Sequence, residues 1–123
     1  MGAFTDIELD YLRTQRLGRL ATADSSGRPH VVPVTFRYDQ DHDSLDVGGH
    51  QFARGKKYRD VQQNPHVAFV VDDWPQPGSG RPRGVEVRGE AEILPTGGKG
   101  IVATFDDEML RIRARRVVSW GLT

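Results

Sequence analysis

The chain has 123 residues, 37% of them hydrophobic and 28% charged, which is the size and balance of one folded domain (1–123). Lys+Arg and Asp+Glu both number 17, so a general nucleic-acid binder, which needs a basic surface, is not expected. With no cysteine at all, disulfides, thiolate catalysis and cysteine metal sites are excluded.

The N-terminal residues Met1 to Asp6 carry neither a basic nor an apolar leader pattern, so a cytoplasmic home is expected. No apolar run reaches the ~20 residues of a membrane helix, so no membrane is expected either. Thr5-Asp6-Ile7-Glu8 is a capping box, which predicts a helix starting at Asp6. Its stripe takes Leu9, Leu12 and Leu17, and Gly18 supplies the stop. From Arg19 the period changes to alternation, and a strand runs to Ala23. Asp24-Ser25-Ser26-Gly27 is a turn, and Pro29 to Tyr38 is the return strand. Leu45 to Gly49 is a short strand, and Lys56 to Asn64 a short helix with Tyr58 and Val61 inward. Val67 to Val71 is uninterrupted apolar sequence, which predicts a strand buried on both faces. Val85 to Leu94 alternates, with Val85, Val87, Gly89, Ala91 and Ile93 inward. Thr96 to Asp107 reads as a loop. Leu110 to Trp120 is the last strand, with Leu110, Ile112, Ala114, Val118 and Trp120 on one face. Trp120 is therefore expected in the barrel or against a partner.

Six strands joined by short turns, with two short helices, favour a mainly β fold. A six-stranded antiparallel barrel is expected, since a parallel sheet would need crossover helices.

Several familiar motifs fail on inspection. Asp39, Asp41 and Asp43 open like a calcium loop, but Ser44 replaces its glycine and His50 its bidentate glutamate. Gly55-Lys56 is not a P-loop, because His50 stands where its first glycine belongs and Lys57 where its hydroxyl belongs. Gly78-Ser79-Gly80 lacks the strand-to-helix context of a dinucleotide fingerprint. His30, His42, His50 and His66 have no metal-ligand spacing, so no metal is expected.

One segment survives. Gly48 to Arg59 leaves a strand through two glycines and enters a helix carrying Arg54, Lys56 and Lys57, two of only three lysines in the chain. Between Gly48 and Lys57 no Ser, Thr, Asp or Asn caps that helix. Cations at a helix start oppose its dipole, and a bound anion relieves both the dipole and the bare amides. Two readings stand: an anion site, or a solvated turn with Gly55 as its cap. Pro33 is a second anomaly, since mid-strand it donates no ladder bond and must face an edge or a ligand.

Together these residues resemble the pyridoxamine-phosphate-oxidase-like split barrel, the FMN-binding split-barrel type. The resemblance is carried by Pro29 to Phe36, Lys56 to Val61, Asn64 to Asp73, Pro82 to Gly89 and Ile112 to Leu122. The last two, with Asp46 to His50, are similar to the branch of deazaflavin (coenzyme F-420)-dependent oxidoreductases. The resemblance implies a homodimer with two cofactor sites at the subunit interface and a small-molecule substrate. It implies Lys57, with Lys56 and Arg54, on the cofactor phosphate. It places the backbone of Pro33, Val34, Thr35 and Phe36 along the ring, with His50 and Gln51 near. FMN oxidases of the family open this strand with an arginine and close it with a lysine. Here His30 and Thr35 or Phe36 stand there. The expected activity is therefore hydride transfer from reduced F-420 to an unsaturated small molecule. The alternatives are an FMN oxidoreductase and a flavin- or deazaflavin-binding module without turnover. No side chain is singled out as an obligatory acid or base; Thr35, Tyr38 and His50 are the nearby candidates.

Overall fold

Thr5 opens α1 (Asp6–Arg13) as the capping box predicts. Its hydroxyl accepts the Glu8 N–H at 3.2 Å, and the Glu8 carboxylate accepts the Thr5 N–H at 2.9 Å. The helix stops at Arg13, earlier than Gly18 would place it. Thr14 closes it, with its N–H returned to the last turn and its hydroxyl donated to the Tyr11 carbonyl at 2.7 Å. Gly18 serves the barrel instead: a Cβ there would stand 2.3 Å from the Phe69 ring. Leu17 is exposed, so it is no part of the helix stripe.

The computed structural model describes residues 2–78 and 80–122. Six strands follow: β1 (Leu17–Ala23), β2 (Pro29–Asp39), β3 (Ser44–Gly48), β4 (His66–Asp73), β5 (Arg83–Leu94) and β6 (Met109–Trp120). They close in the order β1-β2-β3-β6-β5-β4, and every pairing is antiparallel. This is the expected mainly β, six-stranded antiparallel barrel. Its second helix, α2 (Lys56–Gln63), packs on β1 and β5. Among the described residues no helix is long and apolar enough to cross a membrane.

Alternation fills the barrel. Leu20, Val34, Phe36, Val47, Phe69, Val71, Val85, Val87 and Leu110 are all buried in one cluster. Burial of each is worth about 1.5–3 kcal/mol. Phe36 and Phe69 meet edge to face at 5.2 Å across it. The Val67–Val71 stretch is not buried on both faces: Val67, Phe69 and Val71 point in, while Ala68 and Val70 are half-buried outside. Its apolar outer face, not a double burial, explains the uninterrupted run.

The last strand also departs from its simple period. Arg88 pairs with Arg116 and Gly89 with Ala114, so Arg115 is an extra, bulged residue. Gly89 permits this, because a Cβ there would lie 2.0 Å from the Arg113 carbonyl oxygen. Beyond the bulge the faces exchange. Val117 joins the core, and the Ser119 hydroxyl donates to buried Glu8 at 2.6 Å. Trp120 therefore lies outside the barrel, 39% exposed, with its ring over Gly84.

Candidate cofactor and substrate site

The barrel is incomplete beside β2. β1 pairs with Pro29 to Thr35, whereas β3 reaches only from Asp39 to Thr35. The Phe36 N–H donates to the Arg16 carbonyl at 3.1 Å, so even-numbered β2 residues bond toward β1. The odd-numbered Val31 and Pro33 then face a side that no strand occupies among the described residues. Pro33 is thus placed where its missing N–H costs no ladder bond. The side chains of Val34 and Phe36 point into the core and their backbone groups bond toward β1, so the free edge belongs to Val31 and Pro33. Thr35 is half-buried on the outer face.

β3 leaves the sheet at Gly48, opposite Thr35, and carries the chain toward α2. One sheet spacing, ~4.8 Å, separates the two strands there. Gln51 takes a left-handed conformation, φ 49°, before a short turn at Phe52–Arg54. The Asp106 carboxylate accepts the Phe52 N–H at 3.2 Å, and the Asp106 N–H donates to the Gly49 carbonyl at 3.0 Å. These two bonds hold the turn in place. His50 is exposed, with its ring edge to face with Phe105 at 5.4 Å. Arg54 and Gln51 are exposed as well.

The start of α2 is bare. Gly55 is its N-cap, no side chain caps it, and its first turn holds no acid. The two lysines there differ. Lys56 donates to Asp60 at 2.8 Å, and Asp60, 4% exposed, also accepts the Thr22 hydroxyl at 2.7 Å. Lys57 makes no ion pair among the described residues. It lies 5.1 Å from the Phe52 ring centre, and burial lowers its pKa. A half-buried ammonium without a counter-ion, next to unpaired helix amides, fits a phosphate in both charge and donor set. The unpaired β2 edge fits the polar rim of a flat ring.

The Asp60 cluster was not legible as a unit, though its Lys56–Asp60 pair has helical i,i+4 spacing. Burial would raise the Asp60 carboxyl, but the bonds from Lys56 and Thr22 outweigh it and hold its pKa below the usual range. A folded-state value below the unfolded value of about 4 adds stability above that pH and loses it as pH falls further. We expect the melting-temperature gap between the parent and Asp60→Asn to narrow as pH drops from neutral through that range. A gap independent of pH in thermal melts would exclude a charged Asp60 as its source. His30, in register with Thr22, leaves a buried Nδ1 without a partner.

The family described as pyridoxamine 5'-phosphate oxidase matches residues 5–118. The chain belongs to this family. A 5a,11a-dehydrotetracycline/5a,11a-dehydrooxytetracycline reductase of Streptomyces rimosus subsp. rimosus is 44% identical over 97% of this chain and 84% of that protein. This oxidase-family chain is accordingly an oxidoreductase. An FAD-binding protein from Mesorhizobium loti superposes with a TM-score of 0.71 at 26% identity, over 94% of this chain and 92% of that one. The heme storage protein of Vibrio cholerae superposes with a TM-score of 0.72 at 18% identity, over 99% and 97% of the two chains, which speaks to the fold alone.

Within this family member the acid–base candidates are unequal. The Tyr38 hydroxyl donates to Asp43 at 2.7 Å, and burial together with that carboxylate pushes its pKa up to about 12. It is a poor proton donor near neutrality. Thr35 and His50 stay accessible. Among the described residues no group of three His, Cys, Asp or Glu is placed to hold a metal.

Proposed function

We propose that the protein reduces an unsaturated small molecule with a hydride from reduced deazaflavin coenzyme F-420. The observation that carries this reading is the bare, cationic start of α2, with the strandless edge of β2 as a second feature. Lys57 and the first α2 amides would hold the phosphate, with Arg54 adding charge and Lys56 backing them through Asp60. The backbone of Pro33 to Phe36 would lie along the ring, near His50 and Gln51. The cofactor supplies the hydride; the chain binds, orients and excludes water. A proton then comes from solvent or from Thr35 or His50.

The dehydrotetracycline reductase at 44% identity supports reduction of an unsaturated acceptor. His30 and Thr35 or Phe36, in place of the arginine and lysine that the resemblance associates with FMN, favour deazaflavin. The FAD-binding neighbour keeps a flavin-type cofactor in the same class of ligand. A cytoplasmic setting belongs to this reading. So does a homodimer, which would cover the exposed Leu17, Val31, Val118 and Trp120. Sedimentation should show no folded monomer at micromolar concentration.

The deciding experiment titrates cofactor-free protein with F-420 and with FMN in parallel, followed by fluorescence. F-420 is expected to bind the more tightly. Tight FMN binding with no F-420 binding would overturn the assignment and leave the fold untouched.

A further inference from the structure

Eight of the fourteen arginines are paired with a carboxylate, and among the described residues Arg13, Arg16, Arg54, Arg59, Arg81 and Arg116 are not. Arg19, Arg28, Arg37, Arg83, Arg88, Arg111, Arg113 and Arg115 each lie within ion-pair distance of a carboxylate. Arg13 and Arg16 have no such partner among the described residues, and both line one concavity of about 350 Å³. Arg37 and Thr35 of β2 form another part of its wall, and Ile101 and Val102 the apolar side. None of its lining residues is acidic.

The pocket is built on fixed backbone. The Arg16 carbonyl accepts from Phe36 across the sheet. The Arg13 guanidinium sits over the Tyr38 ring at 5.5 Å. Arg37, by contrast, is engaged with the protein itself. It donates to the Gly100 carbonyl and lies 3.9 Å from buried Asp46, which straps the loop bearing Ile101 and Val102 to β2. Lys99 fastens the same loop through the Phe105 carbonyl at 2.8 Å. Arg13 and Arg16 are both exposed and bring two cations to one cavity with no acidic lining residue, although Arg13 also borders a second concavity that holds Asp6 and Asp43; the shared cavity therefore favours an anion. Forked donors beside an aliphatic wall suit a carboxylate or enolate carried on a flat apolar body.

We propose that this concavity is the acceptor pocket and that Arg13 and Arg16 select acceptors bearing an anionic oxygen, a carboxylate or the enolate of a 1,3-dicarbonyl. The inference rests on the reading that Pro33 to Phe36 lines the cofactor ring, because Thr35 is common to that stretch and to the pocket. It assigns Arg13 and Arg16 to substrate selection, and Arg37 to positioning the loop.

Salicylate is the test ligand and salicylamide its neutral counterpart, each titrated by calorimetry onto the full chain without cofactor. Salicylate is expected to bind, to weaken at least tenfold in Arg16→Ala, and to recover partly in Arg16→Lys. Salicylamide should bind more weakly and be indifferent to both changes, and Arg116→Ala, outside the pocket, should leave salicylate binding intact. In turnover, Arg16→Ala should raise KM for an anionic acceptor and leave F-420 affinity unchanged. Equal salicylate affinity in the parent and Arg16→Ala overturns the proposal. So does a loss of F-420 affinity in Arg16→Ala, which would give the arginines to the cofactor's acidic tail. Since the titration needs no cofactor, it succeeds or fails independently of F-420 binding.

Discussion

Asp46→Ala is expected to destabilise the protein by about 3–5 kcal/mol, the scale of a buried ion pair broken on one side. Asp46 is fully buried on β3, between Arg37 of β2 and Arg111 of β6 in the strand registers. Arg111 reaches it with two nitrogens, at 3.1 and 3.0 Å, and the Ser44 hydroxyl donates at 2.9 Å. Without the carboxylate, Ser44 loses its acceptor and Arg111 keeps only Asp39, at 3.1 Å. Asp39 is 16% exposed at its side chain and does not replace a bidentate partner. A fall in melting temperature on the order of 10–20 °C follows from that cost in a domain of this size. Arg111→Met combined with Asp46→Ala should recover much of it, because the stranded charge is then gone. A single-variant loss below about 1 kcal/mol in denaturant titration would mean that the pair merely offsets its own desolvation. The effect also bears on the site, since β3 runs from this pair directly to Gly48 and the turn that carries His50.

Local rules made most of the barrel legible. The Thr5–Glu8 box, the turn at Asp24 to Gly27 and the alternation of Val85 to Ile93 are decided within a few residues, and the structure keeps them. Departures arise where a distant backbone decides. Val118 and Trp120 carry the right period for the core, but Gly89 on another strand admits a bulge that turns them outward. The burial of Asp46 depends on Arg111, 65 positions away, and no local pattern reveals it. The proposed cofactor segment was visible as chemistry, because two adjacent lysines and an uncapped helix start need no tertiary information. The arginine pocket was not, because its walls come from α1, β2 and the loop at Ile101, which no sequence spacing connects. Lys56 and Lys57 look equivalent in the sequence; their neighbours separate them.

That separation predicts opposite phenotypes for two adjacent residues. Lys57→Ala is expected to weaken F-420 binding by about 1.5–3 kcal/mol, one charge-assisted hydrogen bond, which is roughly ten- to a hundredfold in affinity. It should not destabilise the cofactor-free protein. Lys57 has no ion pair among the described residues, and burial already disfavours its charged form. Removing it relieves a desolvated cation and gives up little beyond its contact with the Phe52 ring. Lys56→Ala is expected to do the reverse. Its ammonium is held by Asp60 at 2.8 Å, so its loss leaves a buried carboxylate with the Thr22 hydroxyl and no counter-ion. Stability should fall by about 1–3 kcal/mol, while F-420 affinity falls less than in Lys57→Ala. Salt discriminates further: the Lys57 contribution to affinity should shrink as ionic strength rises, to the extent that the phosphate is reached by solvent. Paired thermal melts and fluorescence titrations of both variants decide the matter. Equal losses of affinity would mean that both ammonium groups meet the phosphate and that the Asp60 pair opens on binding. Unchanged affinity in Lys57→Ala would remove the phosphate from this helix start and return the segment to a solvated, glycine-capped turn.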